Sequence, residues 1–437
     1  MESLTAELDR MAPYQVYGRV AGIQGLMVEV AGLAGSVSIG SRCNVVRRSG
    51  DQTAGEVVGF RNGRALVMPF GSLDGVGLGA KALVVGHDPV VYPHESWLGR
   101  AVNALGEPVD DGPPLAQGPV GYELRANAPP ANQRKRVGEK MSLGIRAINT
   151  FTTCCKGQRL GIFSGSGIGK SVLLSMMAKY ASSDVNIIGL VGERGREVKE
   201  FIDDYLGPEG LKRSIIVVAT SDESALMRRQ AAYLTLTLSE YFRDLGDHVL
   251  CMIDSVTRFA MAQREIGLSG GEPPASKGYT PTVFTELPRL LERAGTGSGE
   301  GTITGLFTVL VEGDDHNEPV SDAVRGILDG HVVLERVIAE RGRYPPINVL
   351  RSVSRTMPDC NTSEQNEVVR KAKALISVYD EMADMIRLGA YRAGSDATID
   401  EAIRLHDGLE AFLGQDKDER SDFDAAYAEL AAVLEAQ

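Results

Sequence analysis

Hydrophobic and polar positions follow three different rhythms along this chain. From Tyr14 to about Gly86 the apolar residues come in short runs: Gly18-Arg-Val-Ala, Leu26-Met-Val-Glu-Val, Glu56-Val-Val-Gly-Phe and Ala65-Leu-Val-Met. Glycine-bearing turns cut these runs about every ten residues, which predicts a compact all-β barrel or sandwich. Residues 87–135 are punctuated by Pro89, Pro93, Pro108, Pro113, Pro114, Pro119, Pro129 and Pro130 and read as an extended connector. After Lys156 strand, glycine turn and helix alternate. Strands are predicted at Arg159–Phe163, Val185–Val191, Ser214–Ala219, His248–Ile253 and Thr302–Val311, with helical patterns such as Gly169–Ala181 and Ala225–Leu245 between them. Such alternation implies a mostly parallel sheet covered on both faces. Beyond about Thr362 no strand pattern survives. Val368, Ala372, Leu375, Ile376, Tyr379, Met382 and Ile386 trace one helical face, and residues 398–413 and 421–436 continue helically. The expected plan is therefore a terminal peptide over 1–13, a β-barrel over 14–90, a doubly wound α/β core over 91–361 and a helical domain over 362–437. In the terminal peptide Leu4, Leu8 and Met11 make a small apolar helical stripe, which could pack on its own domain or dock a partner or a membrane surface.

The chemistry is concentrated at Arg159-Leu-Gly-Ile-Phe-Ser-Gly-Ser-Gly-Ile-Gly-Lys-Ser171, where a buried strand runs through a glycine turn into a helix. Gly165, Gly167 and Gly169 let the backbone N–H groups from Gly165 through Ser166, Gly167, Ile168 and Gly169 converge on an anion without Cβ interference. The helix that follows adds its positive dipole end. Lys170 can reach the β- and γ-phosphates of a nucleoside triphosphate, and the Ser171 hydroxyl can ligate Mg²⁺. Ser164 stands where the motif has its first glycine. A dinucleotide-binding turn fits less well, because it needs glycine where Lys170 stands.

Two carboxylates fall at the same edge of the expected sheet. Asp254 closes the strand His248-Val-Leu-Cys-Met-Ile-Asp254 and is placed to organise Mg²⁺ through water, to N-cap the helix after it, or to do both. Glu193 is the first carboxylate after Val185–Val191, in Gly192-Glu-Arg-Gly-Arg-Glu197. It is the candidate base for activating water, set against a plain surface acid in a turn.

Composition narrows the function classes. The chain has 437 residues, and 46 Lys+Arg against 58 Asp+Glu leave a formal charge of −12. That balance argues against a protein that grips nucleic-acid phosphates, so no nucleic-acid partner is expected. No apolar run approaches the ~18 residues of a membrane span, and no basic-then-apolar secretory leader opens the chain. The cysteines at 43, 154, 155, 251 and 360 lack metal or disulfide spacing, which fits a reducing cytoplasm. His316, in a polar Gly-Asp-Asp-His-Asn stretch, reads as an exposed turn rather than a ligand.

Several motifs taken together resemble the rotary and export ATPase family, which includes the F-type and V-type subunits. They are Arg159–Ser171, Gly192-Glu-Arg-Gly-Arg-Glu197, Asp254-Ser-Val-Thr-Arg258, Pro273-Pro-Ala-Ser-Lys-Gly-Tyr279 and Tyr344-Pro-Pro-Ile-Asn-Val-Leu-Arg-Ser-Val-Ser-Arg355. Leu98–Pro108, Gly161–Ser171 and Phe284–Arg293 are most similar to the type III secretion ATPases, the flagellum-specific branch above all. The resemblance implies a RecA-like P-loop core, ATP and Mg²⁺ as ligands, and a homohexameric ring. It implies that Glu193 is the catalytic glutamate and Arg355 an arginine finger given to the neighbouring subunit. Arg194 and Arg258 match charge stabilisers near the phosphates, and Tyr344 matches the aromatic that stacks on adenine. Implied partners are a coiled-coil stalk protein, a negative regulator, export chaperone–substrate complexes and the membrane export gate, with the chain peripheral at the cytoplasmic face of the inner membrane. The implied task is ATP hydrolysis that energises or primes export of flagellar proteins. An injectisome ATPase, a non-catalytic ring subunit and a hexameric RNA translocase are the alternatives. Phe412-Leu413 is followed by Gly-Gln-Asp-Lys without the second adenine-pocket aromatic of relatives, which implies looser base selectivity. The loop Gly389–Asp396 falls where relatives touch a stalk, which puts Tyr391 on the stalk side.

Overall fold

The structure is a computed structural model describing residues 15–86, 89–311 and 318–436. The Leu4, Leu8 and Met11 stripe and the His316 turn lie outside the described residues. Six strands, β1 (Tyr17–Gln24), β2 (Met27–Ala31), β3 (Arg42–Val46), β4 (Gln52–Arg61), β5 (Arg64–Pro69) and β6 (Lys81–Gly86), close into a barrel in the order β1-β2-β5-β4-β3-β6. Their alternation puts Val20, Val28, Val30, Val45, Val57 and Val67 inside, each worth about 1.5–3 kcal/mol on full burial. Gly18 lies so close to the next strand that a Cβ there would sit 2.6 Å from the Ala31 carbonyl oxygen.

The proline-rich passage is more than a spacer. After the short strand β7 (Val90–Val91), Trp97 is buried with its indole N–H donating to the Ala116 carbonyl at 2.7 Å. Residues Ala101–Asn103 then form β8, a parallel edge strand of the central sheet paired with Ile216–Val218. Arg100 holds the returning chain through two hydrogen bonds to the Asp110 carboxylate, at 2.8 and 2.6 Å. The extended-connector reading is corrected here: three residues between turns are too few to show a period, so proline density hid a strand.

The remaining strands are β9 (Tyr122–Glu123), which pairs with β7, then β10 (Arg159–Ser164), β11 (Val185–Glu193), β12 (Ser214–Thr220), β13 (His248–Asp254), β14 (Gly295–Thr296), β15 (Thr302–Leu310), β16 (Gly330–Leu334) and β17 (Ile347–Ser354). The central sheet runs β17-β16-β10-β15-β13-β11-β12-β8, with β14 alongside β15. It is parallel from β16 to β8, whereas β17 and β14 pair antiparallel. Strands such as β11 and β13 are buried on both faces, which is why they read as continuous apolar runs. One face packs under the helices Ala225–Leu245, Val256–Gly270 and Pro281–Leu291, together with barrel residues such as Phe70. The other packs under Lys170–Tyr180 and the C-terminal helices.

Those C-terminal helices are Ser363–Arg387, Ala397–Leu413 and Phe423–Glu435. Thr362 and Gln365 form a reciprocal capping box at the start of the first, and Asp396 and Asp422 cap the other two. The apolar stripe buries Ala372 and Leu375, but Met382 and Ile386 are only half-buried where the helix runs past its neighbours. Arg146 fastens this domain to the core. Its guanidinium bonds Glu429, Glu419 and the Gly414 carbonyl at 2.7–3.1 Å, and faces the Phe412 ring.

Candidate nucleotide site

Strand β10 lies inside the sheet between β15 and β16, so the turn leaving its C-terminal tip is rigidly founded. Gly167 (φ +75°) and Gly169 (φ +89°) adopt left-handed backbone that a side chain would strain. Gly169 is also the N-terminal residue from which the helix Lys170–Tyr180 departs. Ser164, in place of the usual glycine, is still strand, paired with Leu310 and Leu334 before the turn begins, with its hydroxyl buried and unpartnered among the described residues.

At the turn's mouth the Lys170 ammonium donates a very short hydrogen bond to Asp254 Oδ1 and lies 3.7 Å from Glu193 Oε1. Burial alone would lower this ammonium's pKa. The Asp254 and Glu193 carboxylates outweigh burial and hold it above the ordinary lysine value. Asp254 is buried at the tip of β13, and the Thr308 hydroxyl from β15 donates to its Oδ1 at 2.7 Å. The capping alternative for Asp254 is corrected: Ser255 is the N-cap of the next helix, its hydroxyl accepting from the Arg258 N–H at 3.3 Å.

Glu193 is the last residue of β11, where a bulge after Val191 breaks the pairing with β12. Gly192 (φ +73°) permits that kink, and a Cβ there would meet the Arg258 side chain at 3.0 Å. Burial, then the neighbouring Asp254 charge, push the Glu193 carboxyl up to about 7; Lys170 opposes them, and a hydrogen bond shared with Glu197 adds to the rise. Arg258 projects from the helix Val256–Gly270 with its Nε unpartnered among the described residues. Arg194 is 80% exposed at the rim and pairs with Glu197 at 3.1 Å.

Lys170, Gly192, Glu193, Arg194, Glu197 and Arg258 line a polar cavity of about 370 Å³ with Gly165, Ser166, Gly167, Gly169, Ser171, Val172, Glu200, Tyr205 and Leu310, while Asp254 lies behind the Lys170 ammonium. Ile168 is buried in the core and is not among the lining residues. A hydroxyl (Ser171) and a carboxylate (Asp254) are hard oxygen donors of the kind Mg²⁺ takes beside phosphate oxygens and water, so the donor set fits that ion. The unpartnered Arg258 nitrogen and the row of open backbone fit an anion.

Besides Asp254 and Ile168, two further sequence-expected residues lie outside the cavity. Tyr344 is 52% exposed, with its ring edge 3.4 Å from where a Gly169 Cβ would lie and its carbonyl accepting from the Gln415 N–H at 2.8 Å. Gln415 itself turns inward, accepting from the Arg146 N–H at 2.7 Å and donating to the Gly144 and Glu419 carbonyls. Arg355 follows the last residue of β17, exposed, with its backbone N–H donating to the Asp329 carbonyl at 2.9 Å. Sequence reasoning missed Thr308, Glu197 and Arg336, whose guanidinium donates to the Ser166 carbonyl at 2.8 Å. Thr308 had a legible signal, since a polar residue inside the buried run Thr302–Leu310 must find a partner.

Comparison with known families places this geometry. Residues 144–354 match the nucleotide-binding domain of the ATP synthase alpha/beta family, residues 20–86 its beta-barrel domain, and residues 361–432 the T3SS EscN ATPase C-terminal domain. A flagellum-specific ATP synthase of Caulobacter vibrioides is 57% identical over 443 residues, covering 100% of both chains. The assembled ATPase EscN of the enteropathogenic E. coli type III secretion system is 38% identical with a TM-score of 0.90, over 95% of this chain and 100% of that one. EscN in complex with its central stalk EscO is similar at 37% identity and a TM-score of 0.87, with the same coverage. With barrel, nucleotide-binding domain and helical domain all matched in order, the chain belongs to the ATP synthase alpha/beta family, among its flagellum-specific members.

Proposed function

We propose that this chain is a Mg²⁺-dependent ATPase that energises or primes export of flagellar proteins, working as a homohexameric ring at the cytoplasmic face of the inner membrane. The observation that carries the reading is Lys170 suspended between Asp254 and Glu193 at the mouth of the glycine turn. Backbone amides from Gly165 to Gly169 and the Lys170 ammonium receive the β- and γ-phosphates, releasing Lys170 from its resting carboxylate partners. Ser171, and Asp254 through water, would hold Mg²⁺, which when bound shares the negative charge of the phosphate oxygens. Glu193 orients the attacking water and takes its proton as the water adds in line to the γ-phosphorus. Arg258 and Arg194 neutralise charge on the transferring group from within the chain. Arg355, exposed and away from its own cavity, serves the nucleotide of the adjacent subunit. Tyr344 stacks on adenine from one side only, because Gln415 is turned away into the domain seam, and base selectivity is correspondingly loose.

The assembled form of EscN and its complex with a central stalk support the ring and a stalk partner, for which the family resemblance points to the loop Gly389–Asp396. There the Tyr391 hydroxyl is tied to Asp400 and Asp396 at 3.0 Å, holding the loop in shape for a partner. A negative regulator, export chaperone–substrate complexes and the membrane export gate complete the proposed set. Glu193 separates this reading from a non-catalytic ring subunit. Phosphate release by the purified chain should fall about 10²–10⁴-fold in Glu193→Gln with nucleotide binding retained. Equal release by the two proteins would sink the hydrolytic reading.

A further inference from the structure

Arg355 and the phosphate turn stand at opposite edges of the central sheet. The turn leaves the C-terminal tip of β10, whereas β17 runs antiparallel and delivers Ser354 and Arg355 beside Gly330, where β16 begins. Gln158, the residue before β10, lies at that second edge and is fully buried. A buried side-chain amide must find partners for two N–H donors and for the lone pairs of its oxygen.

Gln158 meets that demand mostly around Arg355. Its Nε2 donates to Ser354 Oγ at 2.9 Å and to the Asp329 carbonyl at 3.1 Å. Its Oε1 accepts from the Thr356 hydroxyl at 3.3 Å and from the Cys155 N–H at 2.9 Å. The amide is fixed in this sense, because a flipped one would turn its NH₂ to the Cys155 N–H and its oxygen to the Asp329 carbonyl. Ser354 and Thr356 are the residues on either side of Arg355, and the Asp329 carbonyl also accepts from the Arg355 N–H at 2.9 Å. One side chain thus reaches both chain neighbours of Arg355 and its backbone partner. The Thr153 carbonyl backs the arrangement, accepting from the Ser354 hydroxyl at 2.8 Å and the Thr356 hydroxyl at 3.3 Å. Gln158 is itself anchored through its backbone, donating to the Cys155 carbonyl at 3.0 Å and accepting from the Gly305 N–H at 2.9 Å.

We infer that Gln158 is a positioning residue for Arg355, setting the place from which that guanidinium reaches the nucleotide of the adjacent subunit. The inference rests on the reading of Arg355 as a residue given across the ring. A guanidinium stabilises the transferring phosphoryl group only at hydrogen-bond range, and a displacement of about 1 Å costs about 10²-fold in rate. An exposed arginine has little packing of its own to hold that range, so the burden falls on its backbone. Gln158 does not line the cavity of its own chain and acts through Ser354, Asp329 and Thr356. Strand β10 then serves two sites, carrying the phosphate turn of its own chain at one end and steadying the residue offered to the next chain at the other. Its six residues set those ends about 20 Å apart. The defect of a Gln158 variant therefore belongs to the neighbour's site rather than to its own.

The test uses the full-length chain carrying Gln158→Leu, which keeps the bulk and removes the donors and the acceptor together. Phosphate release at saturating ATP should fall about tenfold to a hundredfold, with nucleotide affinity unchanged. In an Arg355→Ala chain the same substitution should add no further loss, because it acts only through the arginine. Adding Glu193→Gln chains should raise release per Gln158→Leu chain, because each inactive chain lends a well-placed Arg355 to an intact Glu193. Thr356→Val removes one hydroxyl from the same network and should repeat the pattern with a loss of about two- to tenfold, the worth of one hydrogen bond. It takes the place of Gln158→Leu if that chain does not fold. Undiminished release, losses that add in the double variant, weakened nucleotide binding or no rise on mixing overturn the inference and leave hydrolysis itself standing. An unsubstituted chain that releases no phosphate overturns the hydrolytic reading and this inference with it.

Discussion

Two buried charge clusters in this molecule use the same side chain to opposite ends. At the seam between barrel and core, Glu56 is 1% exposed and faces Arg229 at 2.6 Å, Arg125 at 3.2 Å and Arg42 at 3.7 Å. Burial would raise this carboxyl, but the three guanidiniums prevail and hold it below its ordinary value. At the nucleotide site Glu193 shares one lysine with Asp254 and a hydrogen bond with Glu197, and it is pushed up to about 7. Cations outnumber the carboxylate three to one at the seam. Carboxylates outnumber the lysine at the site. The cation-rich seam holds its carboxylate ionised within the fold, whereas the carboxylate crowding at the site leaves Glu193 ready to take a proton near neutrality.

The largest expected effect tests whether the site adds a cation from outside to its own Lys170, Arg194 and Arg258. If a further positive charge comes from a neighbouring subunit, Arg355→Ala should lower turnover about 10³–10⁵-fold, as removal of an arginine finger does. Nucleotide binding should survive, because Arg355 lies outside the cavity of its own chain. Mixing Arg355→Ala with Glu193→Gln chains should restore some activity, since interfaces with an intact Glu193 on one side and an intact Arg355 on the other then form. A mixture as dead as its components, under conditions where rings assemble, removes the shared site and with it half of the contrast.

The seam predicts the reverse pattern. Glu56→Gln leaves three arginines facing a neutral amide and should cost about 3–5 kcal/mol of stability, measured as a shift of the denaturation midpoint. Turnover per folded chain should stay near normal, because no atom of this cluster lines the nucleotide cavity. A variant that stayed stable but lost turnover would show that the seam takes part in the chemistry.

These two regions also differ in how far the sequence disclosed them. The phosphate turn was legible because its constraint is local: glycines, a lysine and a serine in one stretch between a buried strand and a helix. Asp254 followed from the rule that ligands gather at the C-terminal tips of parallel strands. The Glu56 cluster was not legible, because Arg42, Arg125 and Arg229 come from the barrel, the connector and a core helix and meet only after folding. Thr308 and Arg336 reach the site from a strand and the start of a short helix far along the chain, and β8 is three residues inside a proline-rich passage. Contacts that span domains leave no periodic trace, so only the local half of the site was readable in advance.

The smallest effect separates the clusters by pH alone. A general base whose pKa is raised to about 7 is protonated, and useless as a base, below that value. Turnover at low substrate should therefore be flat above neutrality and fall about tenfold per pH unit below it. Glu197→Gln removes one neighbouring carboxylate and its hydrogen bond, so the acid limb should move to lower pH. Glu56 works with the opposite sign. Because its folded pKa is lowered, its contribution to stability is fully present above the unfolded carboxylate range and is lost only as pH falls through that lowered value. Between about pH 5 and 7 the chain should thus lose activity while staying folded, which circular dichroism and phosphate release recorded on the same samples would show. Unfolding in step with the loss of activity would mean that one charge cluster governs both, and the division between a cation-rich seam and a carboxylate-crowded site would not hold.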